Sequence, residues 1–202
     1  MMPAARESLL DAARTALARR PWPAVRMVDV AAAAGVSRQT LYNEFGNKDG
    51  LARALVRREA DRYLAGVERA LAAHDDAGDR LTAAVEWTVL AARENTLVRA
   101  LLTGCWNERL PAPGLAAVPS SSPVPAQRRA DGALPSPGDF VAAVRDRAVD
   151  VLTASGAFLP DTAELTRTCE VVFRLALSCV AAPPADGGIA ELVRRALPRQ
   201  PA

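Results

Sequence analysis

Asp29-Val-Ala-Ala-Ala-Ala-Gly35-Val-Ser-Arg-Gln-Thr40-Leu-Tyr-Asn-Glu-Phe45-Gly-Asn-Lys-Asp-Gly50-Leu51 is the stretch whose reading decides the fold. Its Ala-rich opening, Val28 to Ala34, spells a short helix. Gly35 follows at the position past a helix end where a positive φ is cheap only for glycine. Val36 is placed to pack under the turn. Ser37 can accept a hydrogen bond from a backbone N–H of the next turn, so a second helix starts at Arg38 and runs to Phe45. Asn47 is a cap for a third, with Asp49 favoured in its first turn by the helix dipole. The second helix leads with Arg38, Gln39 and Thr40, while Leu41 and Phe45 are assigned to the core.

The residues Val30-Ala31, Ala34-Gly35-Val36-Ser37, Thr40-Leu41-Tyr42, Phe45 and Lys48-Asp49-Gly50-Leu51 occur in order without a gap. In this pattern the chain resembles the DNA-binding domain of TetR-family transcriptional regulators over about its first sixty residues. The resemblance implies an all-α fold: an N-terminal three-helix DNA-binding head with a helix-turn-helix at residues 1–50, and a C-terminal helical ligand-binding and dimerisation body at 51–202. A helix seated in the major groove would offer Arg38 to guanine O6 and N7, Gln39 to adenine N6 and N7, and Thr40 to a thymine methyl or a phosphate. Tyr42, Asn43 and Lys48 match positions from which the family grips the sugar-phosphate backbone. Ser37 and Arg26 complete the expected DNA-facing set, Arg26 standing near a position where the family often has a threonine cap. Each of these side chains also has a plain-surface reading. Glu44 does not fit, because a carboxylate beside phosphates is repulsive; either it faces away or it pairs with a neighbour.

Composition agrees with this class. The chain has 202 residues, half of them apolar and 4% aromatic, enough to bury a core. Alternating strand patterns are missing, so helix is the expected regular structure throughout. The net charge of +2 is uneven: residues 1–62 carry eleven Lys and Arg against seven Asp and Glu, and residues 63–202 carry fourteen against sixteen. A basic head on a slightly acidic body suits a molecule that meets phosphates at one end. Neither a leader peptide nor an apolar span of about eighteen residues is recognised, which points to a cytoplasmic protein without membrane contact. Cys105, Cys169 and Cys179 are widely spaced, and His74 is the one histidine, so no metal or other cofactor is expected.

The remaining chain reads as a series of helices. Arg6 to Arg20 is amphipathic, with Leu9, Leu10, Ala13, Ala16 and Leu17 on one stripe, and stops before Pro21-Trp22-Pro23. Trp22 is assigned to the small core of the head rather than to DNA. A long helix follows Asn47 to about Ala73, then helices from Asp79 to Glu94 and Asn95 to Arg109. Residues 110–137 hold seven prolines and three consecutive serines and read as a mobile loop. Further helices are expected at Asp139 to Ser155, with Pro137 at the start, Asp139 in the first turn and Gly156 as the stop, at Asp161 to Ala181, and at Ile189 to Leu197.

A single short reading helix contacts few base pairs, so a twofold dimer on an operator duplex is expected, built in the family from the last two long helices. Arg174 and Ser178 lie one turn apart there; bridging of subunits and an intrachain role both stay open. The resemblance further implies a small-molecule effector that releases the protein from DNA, making it a repressor. Trp87, Leu101, Cys105, Trp106, Phe140 and Phe173, with Leu90 and Phe158, are candidates to line an apolar pocket, as against ordinary core, and Arg93 or Glu94 to orient a polar ligand. An enzyme is not expected, since no acid, base and nucleophile converge in the sequence. The alternatives are a redox-responsive regulator using Cys105 and a ligand-independent DNA-binding protein.

Overall fold

A computed structural model describes residues 3–111, 136–155, 161–184 and 188–197. Among these residues the regular structure is entirely helical: α1 (Pro3–Arg19), a 3₁₀ turn (Trp22–Ala24), α2 (Met27–Ala33), α3 (Arg38–Phe45), α4 (Lys48–Ala72), α5 (Ala77–Glu94), α6 (Thr96–Thr103), α7 (Pro137–Ala154), α8 (Thr162–Ala181) and α9 (Ile189–Ala196). Contacts divide the chain into two units. One runs to Glu59 and takes in the segment from Trp106; the other holds Ala60–Cys105 and the chain from Pro135 onward. The division anticipated between residues 50 and 51 falls inside α4, which starts in the first unit and ends in the second.

In the first unit α1 stops where the next residues are Arg20 and a proline, which disfavours further helix. Leu9, Leu10 and Ala13 of α1 are buried with Val25, Val30, Ala31, Leu41, Phe45, Leu51 and Leu55 from the following elements. Arg58 of α4 is buried too, its Nη1 donating to Asp11 Oδ1 at 2.9 Å and lying 3.5 Å from Glu7 Oε2, which ties α4 to α1. Trp22 is 7% exposed, as expected of a core residue, and its N–H donates to the Arg109 carbonyl at 2.8 Å.

In the second unit α5 packs on α6, α8 and α9, and α7 packs on α8. Four of these helices start at a capping side chain. Asp76 accepts from the N–H groups of Gly78 and Asp79, Asn95 from Leu97 and Val98, and Asp161 from Ala163. Ser136 and Asp139 form a reciprocal capping box. The α5 start therefore precedes the expected one, at Ala77 rather than Asp79, while α7 starts at Pro137 with Asp139 in its first turn, as anticipated. Asp139 itself is held below the usual carboxylate range, first by the Ser136 backbone N–H and then by its hydroxyl.

The expected helix Asn95 to Arg109 is corrected more sharply. It ends at Thr103, because Gly104 takes a left-handed φ of 71° and returns its N–H to the Ala100 carbonyl. Cys105 and Trp106 therefore do not ride on a helix face. Most of the expected Pro-rich loop, together with Gly156, Phe158 and Gly187, lies outside the described residues.

Candidate nucleic-acid interface

The corner between α2 and α3 is built by the residues anticipated for it. Gly35 has φ +68°, and its N–H and that of Val36 return to the carbonyls of Ala32 and Ala31 at 3.2 and 3.1 Å. Ser37 Oγ then accepts the Thr40 N–H at 3.0 Å. A cap of this kind contributes about 1 kcal/mol, a large share for a helix of eight residues that is too short to persist by itself. The Thr40 hydroxyl is 2.9 Å from the same Ser37 oxygen, so both hydroxyls are engaged at the cap and Thr40 is half-buried.

Leu41 and Phe45 are 0% and 8% exposed and hold α3 on the head core. The opposite arc carries Arg38, Gln39, Tyr42 and Asn43, all exposed, with Tyr42 at 48%. These four positions span a little over one turn, so one face of the rod presents a guanidinium, two amides and a phenol. Gln39 Nε2 donates to Asn43 Oδ1 at 2.9 Å, joining the two amides along the axis.

Glu44, the residue that did not fit, is turned from this arc. Its side chain is 11% exposed and lies 3.6 Å from Arg6 Nη1 of α1. The Arg6 guanidinium also stacks 4.8 Å from the centroid of the Phe45 ring. One cation thus neutralises the carboxylate and covers the aromatic anchor of α3. Arg6 was absent from the expected site residues, and no local spacing signals it, since 38 residues separate it from Glu44.

Two expected phosphate contacts have protein partners. Lys48 Nζ donates to the Pro23 carbonyl at 3.0 Å and sits 5.5 Å from the Trp22 ring centroid. Desolvation there lowers the Lys48 pKa, opposed by Asp49. Arg26 occupies the cap position of α2 without a side-chain capping bond. Its Nη2 lies 3.2 Å from Asp29 Oδ1, and Arg20 Nη1 lies 3.1 Å from Asp29 Oδ2. The hydrogen bond to Asp29 raises the Arg26 pKa, and the same bond holds Asp29 low. The Arg26 side chain stays 73% exposed, so its pairing is a surface one.

The candidate pocket residues lie on different elements and differ in burial. Leu101, Phe140 and Phe173 are at most 3% exposed, on α6, α7 and α8. Trp87 of α5 is half-buried and donates Nε1–H to the Tyr63 carbonyl at 3.2 Å. Phe140 meets Tyr63 edge-on, with ring centroids 6.2 Å apart. Cys105 is exposed beyond the end of α6, and Trp106 is half-buried and belongs to the first unit. Leu90 is 47% exposed on α5. Among the described residues no cluster of metal-ligating side chains occurs, and no helix is long and apolar enough to cross a membrane.

Residues 9–55 match the family profile described as bacterial regulatory proteins, tetR family. The HTH-type transcriptional regulator AlkX of Mycobacterium tuberculosis (strain ATCC 25618 / H37Rv) is 51% identical over 69 residues, 34% of this chain and 33% of that protein. The HTH-type transcriptional activator FasR of Mycolicibacterium smegmatis is 40% identical over 81 residues, 40% of this chain and 37% of that protein. The chain thus matches little more than a third of the length of these curated relatives. In fold, the TetR family repressor AlkX from Dietzia sp. strain DQ12-45-1b, implicated in biodegradation of n-alkanes, superposes with a TM-score of 0.54 at 24% identity, over 93% of this chain and 94% of that one. Residues 9–55 thus carry the likeness to the tetR family profile, and the likeness to the solved structure, which is one of fold, extends over most of the chain.

Proposed function

We propose that the chain is a transcriptional regulator that binds operator DNA as a twofold dimer, seats α3 in the major groove, and acts as a repressor released by a small-molecule effector held in its helical body. The observation that carries the DNA-binding part is the exposed arc Arg38, Gln39, Tyr42 and Asn43 on a capped, core-anchored helix whose carboxylate is paired away from it. Such an arc offers donors for base edges and a cation and a hydroxyl for phosphates.

Dimerisation is supported by α8. Val171 is 55% exposed there, on the face that also carries Arg174 and Ser178 at positions i+3 and i+7. Arg174 has an intrachain partner, Glu170 Oε1 at 2.7 Å, which leaves the apolar part of the face to a second copy. The effector reading rests on the family resemblance and on the apolar set Trp87, Leu101, Phe140 and Phe173, which sit one each on α5, α6, α7 and α8. The strongest identity spans 69 residues, a third of the chain, so it assigns no effector.

Titrating labelled duplex DNA with the full chain over a range of salt tests the proposal, alongside its mass in solution. A dimeric particle with affinity that falls as a power of salt concentration is expected. A monomer whose affinity for duplex DNA is absent at low salt overturns it. A second reading, redox control through Cys105, has one observation in its favour: this thiol is exposed while Cys169 and Cys179 are buried. DNA affinity that changes on mild oxidation of the wild type and not of Cys105→Ser would favour it.

A further inference from the structure

The resemblance assigns Gln39 to a base and Asn43 to the sugar-phosphate backbone, two separate tasks. Their geometry is not that of two separate side chains. The residues stand one helical turn apart on the exposed arc of α3, and Gln39 Nε2 donates to Asn43 Oδ1 at 2.9 Å. Both are exposed, so burial does not order the long Gln39 side chain; the bond to Asn43 does.

The bond also decides which groups remain to offer. A Gln side chain has two amide hydrogens and one carbonyl oxygen. With one hydrogen given to Asn43, Gln39 keeps one donor and its acceptor, the set that matches adenine N7 and N6–H in the major groove. Asn43 keeps both of its own amide hydrogens, available to acceptors such as a neighbouring N7 or a thymine O4. The flanking side chains do not compete for this bond. Arg38 has no ion pair among those found in the described residues, and Glu44, the nearby carboxylate of the same helix, is engaged by Arg6 at 3.6 Å. An amide pair already joined before DNA arrives avoids part of the ordering cost of binding.

We infer that Gln39 and Asn43 read DNA as one hydrogen-bonded unit selective for an adenine-containing step, Asn43 being the positioning residue that sets Gln39 against the base. This rests on the proposed DNA-binding function and names the residues that give it sequence preference.

Selection by the full-length protein from a duplex library randomised over a central stretch, followed by sequencing of the bound fraction, gives a preference at each position. Wild type is expected to enrich a motif that includes adenine. Gln39→Ala and Asn43→Ala should each flatten the same position, by about tenfold or more, the discrimination a bidentate contact supplies. The double variant should be no flatter there than either single one. Asn43→Asp keeps an acceptor for Gln39 Nε2, so it should restore the preference while weakening overall affinity through its charge. Helix content by circular dichroism should be unchanged in all four, since both sites are exposed. If Asn43→Ala keeps every preference and weakens all duplexes evenly, it grips a phosphate and the inference is overturned; flattening at a different position overturns it equally. A wild type that enriches no sequence would instead remove the DNA-reading function itself, and this inference with it.

Discussion

Gly50→Ala is the change whose consequence the structure sets most sharply. Gly50 lies in the first turn of α4, where its N–H donates to the Asn47 cap oxygen at 2.8 Å. A Cβ built there would fall on the Phe45 carbonyl oxygen and stand 3.0 Å from the Phe45 carbonyl carbon. The obstacle is backbone, at the end of the reading helix, so no side-chain rotation relieves it. In an open helix Gly→Ala gains about 0.5–1 kcal/mol. Here the first turn of α4 must instead draw away from the end of α3, and overpacking of this kind costs about 1–3 kcal/mol. The expected net effect is a destabilisation of about 1–2 kcal/mol, read as a urea midpoint lowered by about 0.5–2 M at a slope near 1–2 kcal/mol/M. Because α3, whose end loses its packing against α4, carries Gln39, Tyr42 and Asn43, DNA affinity should fall as well, under conditions where circular dichroism shows the variant folded. A variant that is more stable than wild type, as helix propensity alone would have it, refutes the reasoning.

Further outcomes follow from other residues. Arg6→Ala should cost on the order of 1 kcal/mol through the lost Phe45 stacking and Glu44 pair, and should weaken DNA binding at low salt; adding Glu44→Gln should restore affinity but not stability, and affinity unaffected by Arg6→Ala would contradict the neutralising role. Lys48→Met should lower stability by about 1 kcal/mol, since the ammonium holds the Pro23 carbonyl; unchanged stability with a salt slope reduced by about one would return Lys48 to phosphate binding alone. Burial raises the Tyr63 hydroxyl from 10 to about 12 and the Cys169 thiol from 9 to about 11. Raised folded-state values mean stability that is complete below pH 9 and is lost as pH climbs through 9–11 for Cys169 and 10–12 for Tyr63, each on the order of 2 kcal/mol. Urea midpoints that stay level from pH 8.5 to 11.5 would refute this, and Cys169→Ala should delay the fall.

The head was legible because its determinants are local. Gly35, Ser37 and Asn47 act on backbone groups within three or four residues, so their spacing alone places the turn and both helix starts. The apolar stripes of α1, α4 and α8 were legible for the same reason: period-3.6 burial is written along one helix. Three features were not. The end of α6 turned on whether Gly104 continues the helix or caps it with a left-handed φ, and the residue type allows both. The caps Asp76 and Ser136 are a second, although Ser136 and Asp139 show the three-residue spacing of a capping box. Arg6 and the Pro23 carbonyl reach their partners across 38 and 25 residues, distances that no local pattern encodes. The Gln39–Asn43 bond was legible in principle from its i,i+4 spacing, but the two residues were assigned different roles.

The account stands most directly on whether the exposed arc of α3 discriminates between DNA sequences. Affinities of wild type and Arg38→Ala, measured for a duplex enriched by selection and for its scrambled counterpart across salt, decide it. Wild type should prefer the enriched duplex by about a thousandfold or more, and Arg38→Ala should lose at least tenfold of that preference while keeping most of its non-specific affinity. Equal affinity of wild type for both duplexes, or a preference untouched by Arg38→Ala, would contradict it.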